Sequence, residues 1–383
     1  MPRLATETFH DLRVVEPESE EELSAALRCA DRDGIAVIPR GGATKLDWGN
    51  PPARADLILS TARLNRVIEH AWADLTVTVE AGCRFADLQR ILARHDQRLA
   101  LDPLWPEQAT IGGILSTNDS GAWRLAYGGL RDLIIGITLV LPDGTIARSG
   151  GKVVKNVAGY DLPKLATGAL GTLGVIAQAT FRLHPLPRKT RTLTLVCPSV
   201  PEAQKLLLEI QDTNLAHTAL QIGFAAGAAP QLDILLEGTD AGIDAQTARI
   251  RALAGKAEVT EASAAVWQAR EDIASSDSVA KCSVLPSKIA GTVAAIEGAG
   301  DPRWRAIMQA TGTGWVAVNG DLRALRGSIE SGGGTLTILR QPSGRERIDA
   351  WGDPGDALPL MRAIKQQFDP KGTLNPGRFV GGI

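Results

Sequence analysis

Apolar positions set the first elements by their spacing. Leu23, Ala26, Leu27 and Ala30 recur at helical intervals behind Ser19-Glu20-Glu21-Glu22, a Ser-x-x-Glu pattern that predicts an N-cap, and Gly34 predicts the stop. The apolar run 35–38 predicts a strand that enters Pro39-Arg40-Gly41-Gly42, where paired glycines permit positive φ and close approach of another group. Runs at 57–59 and 75–79 predict further strands, and Leu88, Ile91 and Leu92 give 85–95 one apolar helical face. The first hundred residues therefore predict a small α/β unit.

From Asp102 the periodicity dissolves into glycine and small polar residues, which predicts a loop-rich tract through Thr110-Ile111-Gly112-Gly113, Ser116-Thr117-Asn118-Asp119-Ser120-Gly121 and Tyr127-Gly128-Gly129. A hairpin follows, with strands at 134–141 and 146–148 about Pro142-Asp143-Gly144-Thr145. After a glycine tract at 168–174 and a strand at 175–183, His184-Pro185-Leu186-Pro187 reads as a boundary, since proline stops strands. Beyond it strands (191–196, 232–237, 315–318, 335–339) alternate with helices (203–210, 245–254, 322–330), fitting a sheet covered by helices, parallel or ferredoxin-like. A tail helix at 358–368 ends in Asp369-Pro370-Lys371-Gly372 and Leu374-Asn375-Pro376-Gly377.

A length of 383 residues asks for two or three structural units. The 41 basic and 43 acidic residues are interspersed without a block of one sign, so nothing supports a nucleic-acid partner or a polybasic membrane surface. Cys29, Cys83, Cys197 and Cys282 have no CxxC or Cys/His spacing, which argues against an iron–sulfur or zinc site and gives no metal. Residues 133–141 are about half the length that spans a bilayer, and the N-terminus lacks a signal-like basic and apolar run. Cytoplasmic residence is the expectation.

Candidate chemistry centres on Arg40-Gly41-Gly42-Ala43-Thr44-Lys45. A strand ending in Gly-Gly before a short polar segment can curl its amides around a pyrophosphate, although the same residues also make a plain turn. Neither a G-x-G-x-x-G nor a Walker loop occurs, so a nucleotide site here is of another kind. The spaced glycines at 168–174 have close helix–strand packing as their alternative reading.

The order of motifs is more specific than any one of them. Pro-Arg-Gly-Gly-x-Thr is followed by Thr-Ile-Gly-Gly, Asn-x-Ser-Gly, Tyr-Gly, Pro-Asp-Gly-Thr, Gly-Tyr-Asp-Leu, Gly-Thr-Leu-Gly-Val-Ile and a closing Asn-Pro-Gly. Over 14–187 and 368–379 this resembles the FAD-linked oxidases typified by vanillyl-alcohol oxidase, and Val154-Lys155-Asn156-Val157-Ala158-Gly159-Tyr160-Asp161-Leu162 is similar to the flavin subunits of glycolate oxidases. The resemblance implies an α+β, PCMH-type FAD-binding fold of two subdomains, about 1–100 and 101–187, with a reduced ferredoxin-like α/β cap at 188–345. Residues 346–383 would return to the FAD domain.

The same resemblance implies site roles. Pro39, Arg40, Gly41, Gly42, Ala43, Thr44, Lys45 and Leu46 would hold the pyrophosphate. Pro103, Thr110, Gly112, Gly113, Ser116, Thr117, Asn118, Ser120 and Gly121 would close over the other side, with Gly128 beside the flavin. Gly171, Gly174, Val175 and Ile176 would line the adenine end, and Asn375 would return toward the isoalloxazine.

Three departures from the family pattern matter. Ala43 and Thr44 stand where many relatives carry a flavin-linking histidine, which implies noncovalent FAD. Ala169-Leu170 replaces a Ser-Glu pair, and a late His-x-Gly-Asp-Gly-Asn-x-His segment is missing, so the catalytic residues stay unassigned. His10, His70, His95, His184 and His217 read as surface or packing residues, and Arg124 and Arg131 as structural. The implied partners are a paralogous D-type flavoprotein that supplies the acid-oxidising histidines and an iron–sulfur subunit that takes electrons onward, with at most peripheral association at the inner face of the membrane. A free-standing oxidase and a flavin-fold scaffold are the alternatives.

Overall fold

The computed structural model describes residues 12–151, 160–342, 344 and 346–383, so His10 and residues 154–159 of the segment 154–162 lie outside the described residues. Two compact units divide the chain. The first takes the chain up to Ser120, then Gly128–Leu186 and Asp353–Ile383, and the second takes Gly121–Tyr127 and Pro187–Gly352. Residues 121–127, expected within the flavin domain, therefore pack with the second unit.

The first unit begins with a small parallel sheet, in the order Arg13–Val15, Leu57–Ser60, Val37–Arg40. Helix Glu20–Arg32 buries Leu23, Leu27 and Ala30 against it. Its capping box is only half formed: Ser19 Oγ accepts from Glu22 N–H at 3.2 Å, but the Glu22 carboxylate accepts from Glu18 N–H instead. A second, antiparallel sheet runs in the order Val67–Ala71, Thr76–Glu80, Val175–Arg182, Ile134–Val140, Ile146–Gly150. Helix Phe85–Ala93 packs Phe85, Leu88 and Leu92 into the same core as the second sheet.

That core also takes Ile111, Ile114 and Leu115 from helix Ile111–Thr117, which corrects the loop expected there. Glycines at 112 and 113 weaken helix propensity, but the Thr110 hydroxyl caps the turn and three buried apolar side chains hold it. The tail closes the unit. After helix Leu358–Phe368, Val37 N–H donates to Thr373 O (2.7 Å) and Asn375 N–H to Val37 O (3.0 Å), with Leu374 bridged parallel to Val37. The tail thereby covers the open edge of the small sheet.

The second unit is one eight-stranded sheet, antiparallel throughout, which settles the topology that the alternating pattern left open. Helices Val200–Gln211, Asp240–Leu253, Ile289–Gly298 and Leu322–Ser331 pack on the face that presents Leu220, Ile222, Ile234 and Leu236. The opposite face carries Ala219 and Leu235 with Ala122, and a buried polar link in which Thr194 Oγ1 and Gln221 Nε2 donate to the Asp233 carboxylate. Burial pushes the Asp233 pKa up, and these two hydrogen bonds oppose the shift.

Candidate cofactor site

Strand Val37–Arg40 delivers the chain into a cleft of the first unit that encloses about 670 Å³, part of it open to solvent. One wall is the loop 39–46, another the helix residues Thr110, Gly112, Gly113, Ser116 and Thr117, and a third Leu170, Gly171, Gly174, Val175 and Ile176. Asn375 and Arg378 enter from the tail, and Thr61 from the end of the central strand.

The first loop is shaped by the second. Gly41 and Gly42 do not have positive φ; Ala43 does, at 57°. What excludes a side chain is the neighbouring backbone and hydroxyl: a Cβ on Gly42 would fall on the carbonyl oxygen of Gln108, and one on Gly41 on Thr110 Oγ1. The glycines of the first loop touch Gln108 and Thr110, with Gly42 N–H reaching Thr110 Oγ1 at 3.4 Å. Meanwhile the N–H groups of Gly41, Ala43, Thr44 and Leu46 meet no acceptor among the described residues. Donors left open in a concave loop are what an anion needs.

Charge in the cleft has one sign. Its lining holds Arg40, Lys45 and Arg378, and among the described residues no carboxylate. Lys45 Nζ is 3.1 Å from Asp119 in a buried ion pair and lies 5.6 Å from the rings of both Trp48 and Trp105. Asn375 is buried, donates through Nδ2 to Leu170 O at 2.6 Å, and leaves Oδ1 without a hydrogen-bond partner among the described residues. Open amide donors, a one-sided cationic lining and a buried amide oxygen together fit a diphosphate bearing a heterocycle with N–H groups.

Most residues selected from the sequence meet here: 39–46, Thr110, Gly112, Gly113, Ser116, Thr117, Gly171, Gly174, Val175, Ile176 and Asn375. Pro103, Asn118, Ser120, Gly121 and Gly128 do not line the cleft. Asn118 ends its helix in the left-handed conformation, and Gly128 lies against the Asp132 carboxylate at φ 81°. Asn375 is placed against Leu170 and Gly171, beside the wall expected to hold adenine. Thr61 and Arg378 were missed because neither belongs to a glycine motif, and Leu170, inside the glycine tract, because it stands where the family pattern has a carboxylate.

Among the described residues no histidine lines the cleft. His70 Nε2 lies 2.9 Å from Gln97 Oε1, and His95 stacks on Trp72. Burial, in the first place, pushes the pKa of His184 and His217 down. Arg131 is structural, donating to the carbonyls of Lys164 and Thr167, and Asp161 caps helix Leu162–Ala166.

The fold is of the PCMH type with a cleft that fits FAD, and similarity to FAD linked oxidases makes the chain an FAD-dependent oxidoreductase. Residues 12–150 match the family model described as an FAD binding domain, and 352–379 the C-terminal domain of FAD linked oxidases. Glycolate oxidase subunit GlcD of Bacillus subtilis is 27% identical over 96% of this chain and 88% of its own length. D-lactate dehydrogenase of Archaeoglobus fulgidus is 35% identical over 55% of this chain, which spans only 47% of that relative. Among solved structures, p-cresol methylhydroxylase with substrate bound has a TM-score of 0.75 at 15% identity, covering 95% of this chain and 88% of that one. An alkyldihydroxyacetonephosphate synthase has a TM-score of 0.72 at 18% identity, covering 95% and 75%. No helix among the described residues is long and apolar enough to cross a membrane.

Proposed function

We propose that this chain is the E-type, FAD-binding subunit of a heteromeric glycolate oxidase, which oxidises glycolate to glyoxylate together with a D-type flavoprotein and an iron–sulfur subunit. The observation that carries the reading is a cleft equipped for a diphosphate whose lining, among the described residues, offers neither imidazole nor carboxylate. When bound, FAD supplies the hydride acceptor for the α-carbon of a 2-hydroxy acid. The loop amides and Arg378 hold and orient it, and the glycine contacts keep the two loops closed. Among the described residues the cleft lining has no imidazole or carboxylate suited to removing the substrate hydroxyl proton. That task would fall to the D-type partner, and the 27% identity to a GlcD subunit supports descent of both subunits from one flavin fold. Ala43 and Thr44 have no side chain that links to flavin, so binding is noncovalent.

The test uses the purified chain loaded with FAD under anaerobic conditions. Acid precipitation should release all of the flavin. Glycolate should leave the visible flavin band unbleached over minutes, because loss of a positioned general base costs ~10²–10⁴ in rate, and bleaching should follow when the two partners are coexpressed. Bleaching within seconds by the chain alone would instead make it a free-standing oxidase.

A further inference from the structure

Arg378 is 3% exposed at the far end of the tail, in the lining of the cleft. Its guanidinium donates to the carbonyls of Lys45 (3.2 Å), Leu46 (2.6 Å) and Trp48 (3.3 Å). Around it the tail and the loop are joined by backbone bonds, Asn50 N–H to Arg378 O (3.2 Å) and Ala53 N–H to Pro376 O (2.7 Å). Burial lowers its pKa to about 10, with the Asp47 charge opposing, so it remains a cation at neutral pH. A buried cation that draws three carbonyls of one short turn toward itself fixes the orientation of those peptide planes, because each is rigid and trans. One of these planes, between Lys45 and Leu46, carries the Leu46 N–H that stands open in the cleft loop, and the other two brace the turn that follows it.

We propose that Arg378 is a positioning residue for the flavin diphosphate: it holds the 45–48 turn in its ligand-binding shape and places a positive charge beside the anion. The C-terminal tail is then a working part of the cofactor site. This rests on FAD being the ligand of the cleft. Two effects separate across three proteins: Arg378→Met loses both anchor and charge, Arg378→Lys keeps the charge but lacks the fork that spans three carbonyls, and wild type keeps both.

FAD is titrated into deflavinated full-length protein by flavin fluorescence quenching at low and high salt, with the melting temperature of each apoprotein recorded. Arg378→Met should weaken FAD about 10- to 100-fold, the range of one to two charge-assisted bonds, and flatten the salt dependence. Arg378→Lys should restore the salt dependence and only part of the affinity. Should the Met variant not fold, the Lys variant carries the test by the same two readouts. FAD affinity within twofold of wild type in the variants overturns the inference while leaving the FAD site standing. Wild-type protein that takes up no FAD overturns both. An affinity loss with unchanged salt dependence in Arg378→Met also overturns it, since a merely structural arginine would behave that way.

Discussion

At the residue scale, glycine at two positions of the cleft does two different jobs. Gly42 has the Gln108 carbonyl where its Cβ would be, so Gly42→Ala pushes backbone against backbone, with no flexible side chain to yield. Overpacking of this kind costs ~1–3 kcal/mol, and the variant should lose apoprotein stability as well as FAD. Gly113 has only Thr110 Oγ1 near its Cβ position, at 3.3 Å, and sits in a helix where alanine is favoured by ~0.5–1 kcal/mol. Gly113→Ala should therefore leave the apoprotein melting temperature equal or higher yet weaken FAD at least about tenfold, because the new methyl stands where cleft and backbone meet. Calorimetry on apoprotein and flavin titration check both. Undiminished flavin binding in Gly113→Ala would show that the ligand does not approach this helix. The glycine pair 41–42 was legible as a special place, but its reason was not: a sequence shows that a side chain is excluded, not whether ligand or neighbouring loop excludes it.

At the scale of elements, the tail helix Leu358–Phe368 is fastened by one internal cation. Lys365 Nζ donates to Asp369 Oδ2 (2.6 Å), Thr172 O (2.7 Å) and Leu374 O (3.0 Å), tying the helix to the third wall of the cleft. Lys365→Met leaves the buried Asp369 carboxylate with the Thr373 and Leu374 N–H donors but no cation, and breaking such a pair costs up to ~3–5 kcal/mol, read as a lower urea midpoint. The control is Lys371→Met: that lysine pairs with Asp31 but is 55% exposed, and should cost under ~1 kcal/mol. Elements of this kind were legible when a cap, a period and a stop agreed, as for Glu20–Arg32, or when the stop was strong, as for this tail helix. Strands His217–Ala225, Val279–Ser283 and Arg305–Gln309 were not, because they lie inside a sheet covered on both faces and lack the polar alternation that marks a half-buried strand. The helix Ile111–Thr117 was hidden by its own glycines, and the antiparallel pairing of the second unit by the distance in sequence between partners.

At the scale of the whole molecule, each unit carries a histidine held neutral by burial, His184 in the first and His217 in the second. A folded-state pKa below the unfolded value of about 6.5 means that the unfolded chain binds more protons as pH falls below that value, so stability drops on acidification. Melting temperature should fall from pH 7.5 to pH 5.5, and the combined substitution His184→Asn with His217→Asn should flatten that dependence. An unchanged slope would show that other groups set it. The chain path adds a constraint in time. Val37 waits at an open sheet edge until Leu374 reaches it, and the whole second unit is synthesised in between. On the ribosome the second unit can form while the first is still unfinished, and the flavin cleft gains Asn375 and Arg378 only after the second unit has been made. Flavin loading is thus expected to follow synthesis of the second unit, and a nascent chain stalled before residue 374 carries an unprotected edge that invites a chaperone or a misplaced strand rather than a cofactor.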